Sequence, residues 1–547
     1  MLKVAVHYVQ LVLRNLAVDY SWIYIVSPAV GIILTLLFIK YALNGRLVRG
    51  TSHVILAIAR KSSFLPRRET YSHVVTSALT VGFGGSAGLE SPIVQTGSAI
   101  GSVFSSFFNM SYSDRTLLLA CGAAAGIATA FNAPIAGVLF AIEVLLIDVS
   151  ASAFIPLLIA GATGALCSKI ILSEGILLSF RQITDFNYHN IPYYIVLGII
   201  CGLYSVFYIR MSGKIETIFQ RIASAFMRLA VGVVLLGLLV LSLPALFGEG
   251  YSSIIALASD QPALLFKGSV FATAFQSSPF ILAFAILATG LMKVFAVSFT
   301  LNAGGNGGNF APSLLAGACL GYSVSIISNL SGFTHLPTTN FCLVAMAGVL
   351  TGIFHSPLTA IFLIAEITGG YDLMIPLMIV SALSTGVSKF LSPHSLDEIK
   401  LFKQGGSFKP GKDNNILSQL SLENFIEKDF TSIRLGTTLR QLTNEIGHSS
   451  RNTFPVLDEH ANLKGIVLLE DIRLIMFNTE LYDSVIVDSL MHSPSVLINT
   501  GDDMHRVMEK FDTSGAWNIP VVNNGKYVGF ISKSRVFSNY RERLKME

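Results

Sequence analysis

The sequence GGSAGLESP at residues 84–92 recurs as GGNGGNFAP at residues 304–312, 220 positions further along the chain. The register continues without a gap, because Gly97 corresponds to Gly317 with the same offset. Each copy places a glycine-rich turn before an apolar stretch. This arrangement starts a helix inside an apolar region and turns its first backbone N–H groups toward an anion. The repeat therefore predicts an anion site made from two helix N-termini.

The composition indicates a membrane protein. The chain has 547 residues, of which 52% are hydrophobic and only 13% charged, and its mean hydropathy is +0.63. Soluble proteins of this size are less apolar. Long uncharged runs occupy residues 21–392, whereas residues 393–547 carry charges every few positions. We therefore expect a polytopic all-α domain in the lipid bilayer, followed by a soluble domain.

The charged residues predict the orientation. Arg46, Arg49 and the basic cluster at residues 60–68 lie at the ends of apolar segments, as is typical of cytoplasmic loops. Residues 1–20 lack the form of a signal peptide. We expect a multi-pass cell-membrane protein with both termini and the soluble domain in the cytoplasm. The net charge of +4 does not indicate a nucleic-acid partner, and the five cysteines lack metal-ligand spacing, so we expect no metal site.

The apolar segments are irregular in length, and glycine clusters interrupt several of them. Some must form broken or re-entrant helices, which survive in a bilayer only when they are buried or line a cavity. The candidate intramembrane segments are 22–43, 71–110, 116–147, 152–173, 192–211, 223–248, 265–300, 310–332, 338–366 and 371–392.

A second repeat supports the first. A glutamate follows a proline by nine positions in each half of the membrane part, Glu143 in the first half and Glu366 in the second. The membrane part is therefore two homologous halves, approximately residues 20–210 and 220–392. Such halves are often inverted in transporters, which brings both glycine-rich turns to one point near the middle of the membrane.

The soluble tail also repeats a pattern of strand, turn and strand with helical flanks, at residues 454–467 and again at residues 519–531. This predicts two small α/β units. The boundaries that we expect are a membrane domain at 1–400, a linker at 401–420, a first unit at 421–480 and a second unit at 481–547.

Glu90 is the only formally charged residue between Glu69 and Asp114, and it lies at the start of an apolar helix. An intramembrane carboxylate is a functional candidate by default, the alternative being a simple helix cap. The second copy has Asn309 and Phe310 where the first has Leu89 and Glu90. We expect backbone amides and helix ends alone to hold the anion, weakly enough for rapid release. The competing interpretation is that the glycines only allow close helix packing.

These segments resemble the CLC family of chloride channels and proton-coupled chloride exchangers. Residues 88–92 resemble its G-R-E-G-P segment, residues 308–312 its G-x-F-x-P segment, and residues 122–143 a further characteristic stretch. The resemblance implies a CLC-type fold of two inverted repeats, a homodimer with one pore per subunit, and chloride and other small anions as substrates. It implies that Glu90 gates the pore. The anion-binding residues that it implies are Gly88, Leu89, Glu90, Gly308, Asn309, Phe310 and Ala311.

The tail resembles a pair of CBS domains, a regulatory module. Adenine nucleotide is the ligand that this resemblance implies, bound by a Ser/Thr and an Asp three residues later. Each pair is incomplete in this chain, since Leu468 stands with Asp471 and Ser532 stands with Arg535.

Three positions depart from the CLC pattern. The proton-transfer glutamate of many exchangers is replaced by Val144, which cannot carry a proton. The central serine aligns with Thr51, or with Ser52 if the alignment shifts by one residue, and the inner-gate tyrosine aligns with Asp397. Val144 favours a passive chloride channel gated by Glu90. The alternative is a chloride/proton antiporter whose relay avoids Val144.

Other classes fit less well. A membrane metalloprotease needs a His-Glu-x-x-His helix, and no histidine of this chain is followed by Glu, so we expect no enzymatic activity. A CBS-regulated cation transporter would need several intramembrane acidic residues. Only Glu90, Glu143 and Glu366 qualify, and the last two occupy equivalent places in the repeat, as structural residues would.

Overall fold

The structure is a computed structural model that describes residues 2–59, 63–145, 151–172, 186–275, 277–332, 334–403 and 421–546. The chain forms two compact units, Met1–Phe408 and Lys409–Glu547.

The described part of the first unit is helical. Its first half contains α1 (Leu2–Asp19), α2 (Ile23–Ala42), α3 (Ser52–Ala59), α4 (Glu69–Gly82), α5 (Glu90–Phe107), α6 (Tyr112–Phe131), α7 (Pro134–Phe140), α8 (Ala151–Leu172) and α9 (Ile191–Gln220). Its second half contains α10 (Ala225–Ser242), α11 (Tyr251–Ala258), α12 (Ala272–Phe275), α13 (Pro279–Asn302), α14 (Phe310–Leu330), α15 (Thr338–Phe354), α16 (Pro357–Thr368), α17 (Met374–Leu391) and α18 (Leu396–Lys403).

Eight helices of the described residues are long and apolar enough to cross a membrane. The remaining helices include α4, α5, α7, α15 and α16, which are pieces of broken helices. The predicted segments 71–110, 116–147 and 338–366 each form two helices with a break between them, α4 and α5, α6 and α7, and α15 and α16. The prediction of broken helices is therefore confirmed, and the order of elements from α4 to α7 recurs from α13 to α16.

The breaks have the same local cause in both halves. Gly84 and Gly304, at equivalent places in the repeat, have φ values of 95° and 115°, which favour glycine. Asn132 and His355 end α6 and α15 in the left-handed conformation, two residues before the proline that begins the next helix. Sequence and backbone geometry therefore repeat together.

Some glycines of the repeat serve close packing. A Cβ on Gly97 would clash with the backbone of Gly122, so α5 and α6 approach closely there, and Gly317 faces the backbone of Ala345 between α14 and α15 in the same way. The packing interpretation therefore holds for these positions, whereas Gly84 and Gly304 are needed for the turns themselves.

The first helix belongs to the membrane domain that we expected at residues 1–400, although the apolar segments that we predicted begin only at residue 22. It packs against α2 and α4. Its inward face carries polar residues, with Lys3 and Gln10 buried, and its outward face exposes apolar residues such as Tyr8 and Leu11. Three charged residues, Lys3, Arg14 and Asp19, interrupt its apolar run, so the sequence alone does not mark this segment as a membrane helix.

The second unit contains two similar three-stranded sheets. In the first sheet β1 (Ile433–Arg434) pairs in parallel with β2 (Thr453–Leu457), which pairs antiparallel with β3 (Leu463–Leu468). In the second sheet β4 (Ile498–Asn499), β5 (Asn518–Asn523) and β6 (Lys526–Ser532) pair in the same way. The helices are α19 (Leu439–His448), α20 (Leu469–Ile472), α21 (Met504–Ser514) and α22 (Lys533–Met546). The predicted pair of α/β units is therefore confirmed.

Each of the two cores includes a chain segment from outside the predicted bounds of its unit. Leu422 and Phe425 pack in the core of the second sheet, and Leu481 and Val487 pack in the core of the first. The boundary that we predicted between residues 480 and 481 therefore does not follow the packing. The predicted linker 401–420 begins inside α18, and its residues 404–420 lie outside the described residues.

Candidate functional site

The two glycine-rich turns meet inside the first unit. The Gly88 N–H donates to the Gly308 carbonyl at 2.9 Å, and the Gly308 N–H donates to the Gly88 carbonyl at 2.8 Å. This antiparallel bridge joins equivalent residues of the two halves. It brings the beginnings of α5 and α14 together, as the inverted repeat predicts.

A buried cavity of about 20 Å³ lies where these helices begin. Glu90, Gly308, Asn309 and Phe310 are among the residues that line it. The first N–H groups of a helix have no acceptor within the helix, and the helix dipole makes this end favourable for an anion. The cavity has room for about one water-sized particle, so it suits one small anion at a time.

The other predicted anion-site residues lie just behind the cavity. Leu89 precedes α5, is fully buried, and packs in a cluster with Val6 of α1. Gly88 and Ala311 face each other, because a Cβ on Gly88 would contact Ala311 and the Glu90 carboxylate. Glu90 therefore lies back over Gly88, where only glycine leaves room for it.

Glu90 is held by a lysine that the sequence analysis missed. Lys3 Nζ of α1 lies 2.8 Å from Glu90 Oε1, and Tyr251 Oη donates to the same oxygen at 2.5 Å. Lys3 also lies 4.1 Å from the ring centroid of Phe131. The other carboxylate oxygen of Glu90 has no hydrogen-bond partner among the described residues. The sequence signal that could have identified Lys3 is that Lys3 and Gln10 lie seven residues apart and therefore share one face of α1.

A second basic residue also reaches the cavity. Lys400 of α18 lines it together with Asp397. Our expectation that backbone amides and helix ends alone would hold the anion is therefore incomplete. The apolar part of the wall is aromatic, since the Phe310 ring packs against Phe140 and Phe354 with ring centroids 6.4 and 5.8 Å away.

Asn309 is fixed from outside the cavity. Tyr208 of α9 donates a hydrogen bond to Asn309 Oδ1 at 3.0 Å, and the Tyr208 side chain is fully buried. The hydrogen bond orients the residue that immediately precedes α14. No sequence pattern pointed to Tyr208, because α9 is far from Asn309 in the chain.

The inner-gate candidates separate in the structure. Thr51 lines the cavity, and its hydroxyl lies 2.9 Å from that of Ser91. Ser52 is fully buried and is not among the residues that line the cavity. Asp397 lines the cavity, and its Oδ2 atom has no hydrogen-bond partner among the described residues. The geometry favours Thr51 over Ser52 as the central hydroxyl.

Val144 lies in a π-helical turn, Ala141–Leu145, that follows α7, and it is partly buried. Its neighbour Glu143 points its carboxylate at the backbone N–H groups of Leu358 and Thr359. Neither residue lines the cavity.

The nucleotide candidates of the second unit make local contacts. Asp471 Oδ2 accepts a hydrogen bond from the Leu468 N–H at 3.0 Å, and Ser532 donates to Glu427 Oε1 at 2.5 Å. Arg451 joins Glu427 to Asp429, and its hydrogen bond lowers the pKa of Asp429. A cavity of about 420 Å³ lies nearby, lined by Trp517, Lys533, Phe537 and three smaller residues.

A membrane unit that directs two helix N-termini and a carboxylate at one buried cavity defines a membrane anion transporter. The family model described as voltage gated chloride channel matches residues 30–389, and the model of the CBS domain matches residues 487–542. The chain belongs to this voltage-gated chloride channel family, the CLC family, and transports anions.

Relatives carry both channel and exchanger names. A protein of Ralstonia nicotianae named "Putative chloride channel protein ClcB-like" is 28% identical over 365 residues, which cover 65% of this chain and 80% of that protein. The H(+)/Cl(-) exchange transporter ClcA of Klebsiella pneumoniae is 30% identical over 331 residues, which cover 57% of this chain and 64% of that protein.

The fold is similar to solved structures. One of them is the crystal structure of a slow cyanobacterial Cl−/H+ antiporter, with a TM-score of 0.59 and 22% identity, covering 74% of this chain and 93% of that chain. The CLC-type membrane fold that we predicted is therefore confirmed.

Proposed function

We propose that this protein exchanges chloride for protons through the cavity at Glu90. The observation that carries the proposal is the position of Glu90, a carboxylate in a cavity that two helix N-termini make favourable to anions. The similarity to a relative named H(+)/Cl(-) exchange transporter ClcA supports exchange over passive conduction. An ionised carboxylate competes with chloride for this place, and a protonated one leaves it to chloride. Protons and chloride are thereby linked at one site.

Passive chloride conduction gated by Glu90 is the second candidate. Val144 favours it, because a valine in place of the usual proton-transfer glutamate interrupts that route. The gate is the same in both candidates, and they differ only in whether a proton crosses the membrane with each transport cycle.

The experiment is chloride flux in proteoliposomes that contain the full chain, with simultaneous measurement of pH inside and outside. Exchange predicts that an imposed chloride gradient drives protons against their own gradient, and that the reversal potential changes with the pH gradient. Chloride flux without proton movement would reject exchange and leave passive conduction. Absence of chloride flux from folded protein would reject both candidates.

Glu90→Gln tests the gate. We expect chloride flux to continue and to lose its pH dependence, because the amide does not ionise and competes less for the anion place. Proton movement should stop in the same variant. Asp372→Asn, a change of an exposed carboxylate in the loop before α17, is the matched control. If Glu90→Gln stopped chloride transport altogether, Glu90 would be an obligatory carrier and not a gate.

We further propose that the protein is a homodimer in the cell membrane with both termini and the CBS pair in the cytoplasm, as the family resemblance implies. For the CBS pair we propose adenine nucleotide as ligand. The cavity beside Trp517 and Lys533 supports this, since it has the size of a small-molecule site and offers an aromatic ring and a cation. Calorimetric titration of the full chain with ATP and AMP tests it, and absence of binding would reject it.

A further inference from the structure

We propose that Glu69, His53 and His73 form a second proton-binding site, from which protons reach the anion cavity along the buried polar faces of α4 and α5. This inference rests on the proposed exchange and names a route that avoids Val144. This second site is separate from the site at Glu90, because none of the three residues lines the anion cavity.

The three residues form a buried titratable cluster. His53 Nδ1 of α3 lies 3.4 Å from Glu69 Oε2, and His73 Nε2, one turn along α4, lies 4.0 Å from the same oxygen. Glu69 is 6% exposed and His73 is fully buried. Both ring nitrogens of His73 lack a hydrogen-bond partner among the described residues. A cluster built only for stability would have aligned hydrogen bonds, because unsatisfied buried polar atoms are costly.

The cluster lies near the surface end of its helix. Glu69 is the first residue of α4, and Arg67, two residues earlier, is exposed. Protons from water therefore have a short path to Glu69. Among the residues that the structure describes, His53 from α3 and His73 from α4 approach the Glu69 carboxylate to within 4.0 Å.

One face of α4 continues from the cluster toward the cavity. Glu69, His73, Thr76 and Thr80 follow one another at spacings of four, three and four, so they lie along one side of the helix. Asn306 Nδ2 donates to the Thr76 hydroxyl at 2.7 Å, and the Asn306 N–H donates to the Thr80 hydroxyl at 2.9 Å. The two residues after Asn306 line the anion cavity. The polar face of α4 thus ends at the second glycine-rich turn.

One face of α5 makes the same connection. Ser91, Gln95, Ser98 and Ser102 have the same spacing of four, three and four. Ser91 lines the cavity, while Ser102 accepts a hydrogen bond from the N–H of Leu65, four residues before Glu69. Both faces therefore run between the cavity and the loop that precedes α4.

The polar side chains in the middle of the α5 face lack hydrogen-bond partners from the described part of the protein. The amide of Gln95 and the hydroxyl of Ser98 are buried and have no hydrogen-bond partner among the described residues. Buried polar groups of this kind normally bind ordered water. A line of water and hydroxyl groups carries a proton by making one O–H bond as another breaks, with no net change in the groups along the line.

The transfer steps balance without another reactant. The Glu69 carboxylate accepts a proton from a hydronium ion at the surface, which becomes water, and the proton then moves to one ring nitrogen of His73. The imidazolium then releases a proton from its other ring nitrogen to a hydroxyl or water on the polar face, and Glu90 accepts it at the cavity. Reversal of the same steps returns the proton to the surface.

The test measures proton and chloride movement in proteoliposomes for the full chain, Glu69→Gln and His73→Asn. We expect either change to lower the proton-to-chloride ratio by at least about tenfold while chloride flux continues. Loss of an acid–base group usually costs about a hundredfold or more, so this is a cautious lower bound. Glu69→Asp keeps a carboxylate and should restore part of the ratio that Glu69→Gln loses. A merely structural glutamate would tolerate the amide of equal size at least as well as the shorter aspartate.

Three controls make the result decisive. Asp372→Asn and His189→Gln change exposed residues of the same types and should leave the ratio unchanged. Ser98→Val removes a hydroxyl from the polar face without touching a titratable group, and it should lower the ratio while chloride flux continues. Size-exclusion chromatography establishes that each variant is folded.

The outcomes separate the two proposals. If the unmodified chain couples protons to chloride and folded Glu69→Gln and His73→Asn couple them equally well, the route is wrong and the exchange proposal stands. If the unmodified chain moves chloride without protons, exchange is rejected and the route is rejected with it.

Discussion

Glu143 and Glu366 cap helices reciprocally: Glu366 caps the N-terminus of α7, which precedes Glu143, and Glu143 caps the N-terminus of α16, which contains Glu366. Glu366 accepts hydrogen bonds from the N–H groups of Ile135 and Ala136 at 3.0 and 2.8 Å, at the start of α7. Glu143, which follows α7, accepts from the first turn of α16 at 3.0 and 2.7 Å, and Glu366 lies in α16. This reciprocal capping satisfies N–H groups that have no acceptor inside their own helices. These two carboxylates therefore join the halves of the repeat.

We predict that Glu143→Gln and Glu366→Gln each destabilise the protein by about 1–3 kcal/mol, since hydrogen bonds to a charged acceptor are lost. Thermal unfolding followed by size-exclusion chromatography measures the effect. Glu216→Gln is the control, because Glu216 forms a partly exposed ion pair with Lys403, and such pairs contribute about 0–1 kcal/mol. Loss of proton coupling in a stable Glu143→Gln variant would contradict this structural role.

The sequence predicted the parts of the site that repeat. The glycine turns and the pair Glu143 and Glu366 were found because an internal duplication fixes their register, and Glu90 was found because it is the one charge in a long apolar stretch. Lys3 and Tyr208 were not found, because each reaches the site from a helix distant in sequence, and only packing brings them there. Local patterns describe helices and turns well and can mark Lys3 as a residue on a polar face, whereas they do not identify the distant residue with which it pairs.

The central hydroxyl is tested by a matched pair of changes. Thr51→Val keeps the size of the side chain and removes the hydroxyl that faces Ser91 at the cavity. We predict a loss of chloride affinity of about 1 kcal/mol, roughly fivefold, the usual net contribution of one hydrogen bond. Ser52→Ala should change affinity by less than twofold, roughly. Chloride titration of flux measures both, and a larger effect from Ser52→Ala would assign the central position to Ser52.

Tyr208→Phe should alter anion selectivity. The change removes the donor to Asn309 Oδ1, so the residue before α14 loses its fixed orientation. We expect the chloride-to-nitrate preference to fall by about threefold to fivefold, corresponding to about 1 kcal/mol. Tyr204→Phe is the control, since Tyr204 donates to the Gly290 carbonyl and does not line the cavity. Equal effects of both variants would indicate a general loss of packing in α9.

The second unit should lose local stability in acid. Burial raises the pKa of Asp502, but hydrogen bonds from Lys510 and from the Asn499 N–H outweigh it, and the pKa is lowered overall. A lowered pKa stabilises the folded state above the unfolded value of about 3.9, and this contribution is lost as pH falls through the folded value. Hydrogen exchange across residues 498–514 of the full chain, corrected for intrinsic rates, should show more opening near pH 3 than near pH 6. Asp502→Asn should reduce that difference, and an unchanged difference would assign it to other groups.

Lys3 controls how firmly Glu90 is held, and replacing it should loosen the gate. Lys3→Met keeps the length of the side chain and removes the ammonium that lies 2.8 Å from the carboxylate. An unpaired buried carboxylate is costly, by about 3–5 kcal/mol for a broken buried pair, so Glu90 should accept a proton at higher pH. We therefore expect the pH dependence of chloride flux to move to higher pH. Lys3→Arg keeps the charge and should preserve most of the wild-type profile, and Lys267→Met, at an exposed position, should not change it. A Lys3→Met profile that coincides with the wild type in folded protein would mean that Tyr251 alone holds the carboxylate in place.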